Sequence, residues 1–503
     1  MTAVDHHHDD EDAAHLASLG YTSEFRRDMS AWANFSLGFT YLSPVAGVYT
    51  VFAFALMMAG PPMIWTLVLA GVGQLFVALI FAETVAQYPV AGGVYPWARR
   101  LWGKKWAWLT GWVYMCALFA TIAAVSYGSA PYVAAAFGVD NVSVNTIIFC
   151  ALAILALATG VNFLGTKALS MAAMLGFVAE ITGALVVGLW LLIAHREHGL
   201  GILFDSFGAA SGDSYFWAFA AAALLGIYQY YGFEACGDVA EEVPDPGRLI
   251  PKAMRRTIYI GGAAAIWVTL ALVLAVTDIP AVIRGENTAP VETVLNEAFG
   301  ETGARIVLFV VLLSFLSCVI SLQAAASRLA FSYGRDDMIM GSRLLKQFSD
   351  ARHIPPYALL LAALVPAVIV LGSKVSTNAT AKIVGFAALG IYIGFQMVVL
   401  AALRARVKGW QPSGKFQLGR WGMLVNVLAL TWGIVGIIFL VRPLGGEGVK
   451  WYDNWSVAIS GLFVIAVGLI YQALHPTAGR STAPFDTAIP KGNKDEDKDK
   501  VTS

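Results

Sequence analysis

The sequence predicts an all-α, polytopic membrane protein, and two properties of its composition support that prediction. Hydrophobic residues make up 58% of the 503 residues and charged residues only 13%, whereas a soluble protein carries about 25% charged residues. The apolar residues are also grouped into stretches close to the ~20 residues that a helix needs to cross a bilayer. We therefore expect the lipid bilayer to surround most of the chain.

The apolar stretches divide into twelve predicted crossings, which are separated by loops containing charged residues, glycine or proline. Their approximate limits are 31–58, 63–86, 106–137, 145–160, 168–194, 215–246, 254–276, 304–333, 356–371, 381–403, 421–441 and 455–474. Residues 30–475 thus form one membrane domain. The polar segments 1–29 and 476–503 are predicted to be disordered tails.

The distribution of basic residues predicts the orientation of the chain. If the N-terminus is cytoplasmic, twelve crossings place most of the arginines and lysines in cytoplasmic loops, among them Arg99, Arg100, Arg255 and Arg256. Cytoplasmic loops of membrane proteins carry such an excess. Both termini are therefore expected in the cytoplasm, with the protein in the cell membrane.

Other features of the composition exclude several classes of partner. The formal net charge is zero, which argues against a nucleic acid partner. The four cysteines show no C-x-x-C spacing, so neither a disulfide framework nor a metal site is predicted. Three histidines at residues 6–8 precede an acidic run, and a solvated tail is favoured there over a metal site. No cofactor is predicted.

The first predicted crossing is interrupted near its middle by the run Ser43-Pro44-Val45-Ala46-Gly47. Proline removes a backbone donor from a helix. The sixth crossing is interrupted too, between Gly226 and Gly232, in a run that contains Tyr228, Tyr230 and Tyr231 and continues into an acidic segment. Non-helical backbone at membrane depth is tolerated where it lines a cavity. Each crossing is therefore predicted to be a broken helix.

The two interruptions lie five crossings apart, so a second unit of five helices would enter the membrane with inverted topology. Interrupted helices at corresponding positions of two halves are the best sequence indication of a transporter's binding site. The repeats are predicted at about 31–195 and 214–403, followed by extra helices at about 421–474. The pattern favours transport of a small-molecule substrate.

The chemistry of the interruptions indicates what kind of solute they bind. The free amides of Ala46, Gly47 and Val48 at the start of a new helix suit a carboxylate. Unpaired carbonyl groups of Ser43, Tyr228 and Tyr231 suit an ammonium group, and the Tyr228 ring adds a cation–π attraction of about 0.5–2 kcal/mol. A solute with both groups, such as an amino acid, would satisfy both sets. Packing remains the alternative for these tyrosines, most of all for Tyr230.

Two sequence motifs follow the second and the sixth predicted crossings. The first is Ala82-Glu83 with Tyr88-Pro89-x-Ala91-Gly92-Gly93-x-Tyr95, and the second is Gly232-Phe233-Glu234 with Glu241-Glu242-Val-Pro-Asp-Pro246. In these motifs the chain resembles the amino acid–polyamine–organocation (APC) superfamily of permeases, and it is most similar to the branch of GABA and choline permeases.

The resemblance implies a LeuT-like fold, with a five-plus-five inverted repeat and two added helices. The match of Gly232-Phe233-Glu234 to the family motif places Tyr228 at the aromatic gate, and Gly232 is a further candidate substrate-binding residue. The resemblance also places the substrate carboxylate on Ala46-Gly47-Val48. There, however, Ser-Pro-Val-Ala-Gly replaces the commoner Gly-Ser-Gly type, so an amine without a carboxylate remains an alternative solute.

Three acidic residues within crossings are further candidates. Glu180 lies close to the middle of the fifth crossing, and an ionisable residue at that depth is a functional hypothesis by default. The resemblance places it where proton-coupled relatives carry a lysine. We therefore interpret it as the coupling proton site, with a structural carboxyl as the alternative. Glu83 and Glu234 lie nearer the cytoplasmic ends and are gating or structural candidates.

The predicted function is secondary active transport of an amino acid or a related small amine such as GABA, by alternating access and with proton symport. A choline- or polyamine-type cation transporter, or an exchanger, is the alternative, and a solute sensor is a more distant one. An enzyme is not predicted, because no nucleophile and base pair or metal cluster is evident. The sequence has no Walker-type G-x-x-x-x-G-K-[ST] motif, so ATP is not the expected direct energy source.

Overall fold

The structure of the protein is a computed structural model. It describes residues 3–22, 24–139, 142–209, 214–375, 379–442, 450–475, 481–484 and 487–489. The side chains of residues 3–10, among them the three histidines, lie outside this description. So does most of the predicted tail 476–503.

The described chain is a bundle of α-helices, numbered here in chain order. They are α1 (Ala3–Ser18), α2 (Ala31–Leu42), α3 (Pro44–Ala59), α4 (Ile64–Gln87), α5 (Val94–Trp102), α6 (Lys104–Ala136), α7 (Val144–Phe163), α8 (Thr166–Ala194), α9 (Tyr215–Ala222), α10 (Leu224–Gln229), α11 (Ala235–Asp238), α12 (Pro246–Arg256), α13 (Gly262–Ala275), α14 (Ile279–Ile283), α15 (Pro290–Arg335), α16 (Ser342–Leu345), α17 (Pro356–Gly372), α18 (Ala379–Val407), α19 (Gly422–Val441), α20 (Trp451–Asn454) and α21 (Ser456–Leu474).

Ten helical segments of the described chain are long and apolar enough to cross a membrane, and two shorter apolar helices, Tyr215–Gln229 and Pro356–Gly372, accompany them. The all-α membrane architecture is thereby confirmed. The count of twelve crossings stays a prediction, because the two shorter helices fall below the length of a full span.

The interrupted first crossing is found where the sequence predicts it: α2 ends at Leu42, α3 begins at Pro44, and Ser43 stands between them. The sixth crossing differs in detail from the prediction. Gly226 lies inside α10, and a Cβ atom there would come within 2.3 Å of the Thr66 carbonyl oxygen of α4. This glycine therefore allows close packing of two helices, and the chain leaves the helix only after Gln229.

The seventh crossing is longer than predicted. It begins at Pro246, not near residue 254, and passes through a π-helical turn, Thr257–Gly261, into α13. Charged residues concealed this continuation, since they lower the local hydropathy without ending the helix. The eighth crossing is preceded by a short helix, and the two are separated at Gly300, whose φ of 65° and ψ of 173° are not helical.

The centre of the bundle is formed by α6, which packs against both α15 and α18, and by the broken helices, which pack against α4, α8 and α13. By contrast, α19 and α21 leave many large apolar side chains exposed, among them Ile434, Ile438, Leu462 and Phe463. Such a surface is suited to lipid. The segments on either side of the interruptions, most of α3 and all of α10, are buried among their neighbours.

The N-terminal segment differs from the predicted disordered tail. It contains α1, and Leu16, Tyr21, Phe25 and Met29 are buried. The Phe25 ring packs edge-on against Phe331 of α15, with 5.5 Å between ring centroids. Average hydropathy is low here because charged residues separate these apolar side chains, and only the folded bundle supplies the surface that buries them.

Candidate functional site

The interruption of the first crossing depends on one residue, Ser43, whose backbone has φ 40° and ψ 88°. Its amide donates to the Phe39 carbonyl at 2.8 Å and so closes α2. Its hydroxyl oxygen accepts from the Ala46 amide at 3.2 Å and so begins α3. Pro44 fits the first position of α3 because no hydrogen bond is required of its nitrogen there.

A carboxyl group from another helix lies at the same helix start. Glu180 of α8 is fully buried, and its Oε1 accepts hydrogen bonds from the Ser43 hydroxyl at 2.7 Å and from the Val45 amide at 2.9 Å. Its Oε2 has no hydrogen-bond partner in the described chain. Because free amides and the helix dipole favour negative charge at a helix N-terminus, α3 stabilises a carboxylate here.

Two of the three predicted carboxylate-binding amides have partners within the described chain. Ala46 donates to the Ser43 hydroxyl and Gly47 to the Ser43 carbonyl at 2.8 Å, while Val48 is fully buried inside α3. The amide that meets a carboxyl group is that of Val45, which the sequence analysis did not single out. The first turn of α3 thus binds the carboxyl group of Glu180, which belongs to the protein itself.

The second interruption approaches the first through a glycine. Gly232 has φ 117°, and a Cβ atom on it would lie 2.6 Å from the Leu42 amide nitrogen. Its own amide donates to Glu234 Oε2 at 2.7 Å, and Glu234 Oε1 accepts from the Tyr114 hydroxyl at 3.1 Å. Glu234 therefore braces the unwound segment, one of the two roles considered for it.

A cavity of about 220 Å³ lies between the two interruptions. Of the residues predicted to bind substrate, it brings together Gly47, Tyr228 and Tyr231, with the two tyrosine rings edge-on at 5.4 Å. Its lining residues are Tyr41, Leu42, Gly47, Thr121, Val125, Tyr228, Tyr231 and Cys318. The other predicted residues, Ser43, Ala46, Val48 and Gly232, are not among the lining residues, although each is next in the sequence to one of them.

Tyr230, for which packing was the alternative, does not line the cavity. Its ring lies against Gly71 of α4 and Gly262 of α13, where a Cβ atom would come within 2.9 Å and 2.7 Å of it, respectively. Its carbonyl accepts from Gln74 at 3.1 Å. This tyrosine packs between helices and does not line the cavity.

A second cavity, of about 380 Å³, has Glu180 in its wall. Apart from Glu180, Tyr49 and Ser314, its lining is aliphatic or glycine, contributed by α3, α8, α13 and α15. Small-molecule sites combine apolar walls with a few convergent polar groups. The smaller cavity is therefore the better candidate for the solute, since the polar groups of both interruptions meet beside it.

Sequence reasoning missed Gln229, the last residue of α10. It is fully buried, its Nε2 donates to the Leu42 carbonyl at 3.1 Å, and its Oε1 has no partner in the described chain. A Cβ atom on Gly47 would lie 2.4 Å from that oxygen. Gln229 could have been singled out from the sequence, because it places an amide side chain among tyrosines at membrane depth, where polar residues are costly.

Comparison with known proteins now identifies the family. Residues 30–479 match the family described as amino acid permease. The chain belongs to this family. Similar proteins include the amino-acid permease BAT1 of Arabidopsis thaliana, 26% identical over 93% of this chain and 95% of its own length, and its homologue in Oryza sativa, 27% identical over 90% and 92%. Amino-acid permease 2 of Neurospora crassa is 22% identical over 92% and 87%.

The family match establishes the APC assignment, the multi-pass membrane architecture and a transporter family rather than an enzyme family. The relatives are named amino-acid permeases, and they cover the chain from the first crossing to the last. The resemblance to the GABA and choline branch stays a prediction.

The acidic motifs of the permease form buried ion pairs next to the N-terminal segment, where the Met29 amide donates to the Glu242 carbonyl at 3.0 Å. Glu241 pairs with Arg335 at 2.9 Å and Glu242 with Arg328 at 2.8 Å, all four being largely buried. The acidic run Glu241-Glu242 alone would predict a solvated helix end, and that prediction is wrong, because both side chains are buried. Their partners come from α15, far along the chain, which neighbouring residues could not indicate.

Glu83, the other gating or structural candidate, also has a fixed partner. It forms an ion pair with Arg406 of α18 and accepts from the Leu418 amide at 2.8 Å. It therefore joins α4 to the segment before α19, away from the cavity. This contact fits the structural alternative better than a position on the solute's path.

Proposed function

We propose that this permease moves an amino acid or a closely related small amine across the cell membrane by alternating access. The observation that carries the proposal is the cavity that lies between the two helix interruptions, with Tyr228 and Tyr231 in its wall. Interrupted helices provide polar backbone groups at depth without exposing them to lipid. Membership of the amino acid permease family supports the same solute class.

Glu180 is the proposed proton site that drives uptake. The carboxyl group is fully buried and bridges Ser43 and Val45 at the junction of α2 and α3. A proton on this group removes the charge that α3 stabilises, so protonation changes the free energy of the helix junction beside the solute. That contact provides a physical link between proton and solute.

The orientation remains part of the proposal: both termini in the cytoplasm and the basic loops on the same side. It rests on the excess of arginine and lysine in those loops. Acidification outside the cell would then drive protons and solute inward together.

Purified full-length protein in proteoliposomes tests these proposals. Labelled amino acids, GABA, choline and putrescine would be offered with an acid exterior, with no gradient, and with a protonophore. We expect accumulation above the external concentration only with the gradient, and its loss with the protonophore. Exchange that is independent of the gradient would replace symport with antiport. No movement of any solute would contradict the transport proposal.

A further inference from the structure

A row of basic side chains runs along one face of α12. Arg248, Lys252 and Arg256 stand four residues apart, a spacing that puts side chains on the same face of a helix. Arg248 and Arg256 are exposed and Lys252 is half-buried, whereas Ile250 and Met254, on the opposite face, are fully buried. We call the three basic residues the basic stripe. It forms the charged face of an amphipathic helix.

The basic stripe lies beyond the part of this helix that the hydrocarbon core can cover. Residues Pro246–Ala275 form one helical span of 30 residues, which is about 45 Å long, whereas the hydrocarbon core is about 30 Å thick. The π-helical turn Thr257–Gly261 and α13 carry no charged residue and together measure about 28 Å. Because charged side chains are costly inside the core, the remaining segment, α12, lies at the level of the lipid head groups.

The surface next to the basic stripe is apolar and exposed. Tyr259 and Ile260 of the π-helical turn follow Arg256 by three and four residues, and 55% and 38% of their surface is exposed. Large apolar side chains exposed on a membrane helix face lipid, and tyrosine is enriched at the membrane–water interface. A phospholipid head group at the basic stripe would therefore have its acyl chains beside these two residues.

The basic stripe has no acidic partner in the part of the chain that the structure describes. Asp245, the residue before α12, is bound by Lys415 at 2.6 Å and is thereby already paired. Three positive charges consequently lie on one helix face without a compensating negative charge. An anion bound among them would be attracted by all three and would reduce their mutual repulsion.

Direct packing connects this part of the helix to the broken first crossing. A Cβ atom on Gly38 of α2 would come within 2.8 Å of the Thr257 hydroxyl oxygen, and one on Gly261 within 2.9 Å of the Leu42 side chain. Leu42 is the last residue of α2 before the interruption at Ser43. A ligand that holds α12 in place would therefore also stabilise the position of α2.

We propose that the basic stripe binds the head group of an anionic phospholipid, and that the bound lipid stabilises the packing of α12 and the π-helical turn against α2. Phosphate oxygens accept charge-assisted hydrogen bonds from guanidinium and ammonium groups, and basic pockets beside membrane helices bind anionic head groups. The site lies outside the cavity between the interruptions. The inference therefore goes beyond the proposed transport function and does not depend on it.

Thermal unfolding of the full-length protein in a neutral detergent provides the first test. Dioleoyl phosphatidylglycerol, dioleoyl phosphatidylcholine and soluble glycerol 3-phosphate would be titrated separately. A ligand that binds only the folded state raises the melting temperature, so we expect a saturable rise with phosphatidylglycerol and none with phosphatidylcholine. Glycerol 3-phosphate carries the phosphate without acyl chains, and it should bind about tenfold or more weakly than the lipid.

A matched pair of double variants tests the basic stripe itself. Arg248→Gln combined with Arg256→Gln should weaken phosphatidylglycerol binding about thirtyfold, because each basic residue near an anionic surface contributes a factor of about five. Arg343→Gln combined with Arg352→Gln removes the same charge from two exposed residues outside α12 and should leave the affinity unchanged. Melting temperatures without lipid would show that both double variants fold.

Hydrogen exchange tests the connection to α2. Phosphatidylglycerol should slow the exchange of backbone amides in both α12 and α2 of the wild-type protein, and it should have no such effect in the variant that lacks Arg248 and Arg256. Slowing confined to α12 would overturn the proposed stabilisation of α2.

Three further outcomes would overturn the lipid site. Equal losses of affinity in the two double variants would show that basic surface charge in general attracts the lipid. An equal effect of glycerol 3-phosphate would make the basic stripe a phosphate site, and an equal effect of phosphatidylcholine would remove the role of charge. None of these results would affect the transport proposal, which is tested by solute accumulation.

Discussion

The Ser43 hydroxyl donates to the Glu180 carboxyl group at 2.7 Å, and this contact joins α8 to the point where the first crossing is broken. The same serine is the C-cap of α2 and the N-cap of α3. A change of charge on Glu180 therefore acts directly on the junction between the two halves of the helix. Four predictions test this arrangement and the packing around it.

Glu180→Gln should abolish accumulation driven by an acid exterior while preserving counterflow. The glutamine keeps the shape and can still accept from Ser43 and Val45, but it cannot gain or lose a proton. Accumulation and counterflow would be measured in the same proteoliposomes. Glu297→Gln, at an exposed carboxyl group that accepts from Thr277, is the control. Continued accumulation by the Glu180 variant would refute the coupling role.

Tyr228→Ala should weaken solute binding far more than Tyr230→Ala. The first ring lines the cavity, whereas the second packs against Gly71 and Gly262. Loss of a cation–π contact of about 0.5–2 kcal/mol corresponds to a few-fold to about thirtyfold weaker binding. The shift of thermal stability with solute concentration would report each affinity. Tyr228→Phe keeps the ring and should lose less, and equal affinities in the two alanine variants would contradict the gate assignment.

Gly232→Ala should destabilise the protein even without solute. Its positive φ costs a non-glycine residue about 1–3 kcal/mol, and the new methyl group would collide with the Leu42 amide nitrogen. A lower melting temperature in detergent is expected. Gly201→Ala is a suitable control, since it has no neighbouring atom within 4 Å of the added carbon and no positive φ. Equal melting temperatures for the two variants would show that the interruptions do not touch as described.

Arg328→Ala should lower stability strongly, because it leaves the Glu242 carboxylate buried without its ion-pair partner. Breaking a buried pair in this way costs about 3–5 kcal/mol. The double variant with Glu242→Gln should recover part of the loss, since it removes the stranded charge. Arg284→Ala, in an exposed pair with Glu286, should leave the melting temperature unchanged. A double variant less stable than Arg328→Ala would argue against the buried-charge explanation.

Several features of the fold were accessible from the sequence because they depend on local chemistry. A chain with 13% charged residues and repeated apolar stretches has few alternatives to membrane helices. The interruption at Ser43 followed from Pro44, which removes a backbone donor, and from Gly47, which loosens a helix. The depth of Glu180 followed from its place in an apolar run. Each of these conclusions needs only a few neighbouring residues.

The partners of those residues were decided by the tertiary structure alone. That Glu180 meets Ser43, that Gln229 covers Gly47, and that Glu242 pairs with Arg328 depends on how helices far apart in the chain are packed. The periodicity of one helix carries no information about which distant helix it contacts. The sequence by itself therefore determined that the chain has broken helices in a membrane, and packing decided which side chains occupy the breaks.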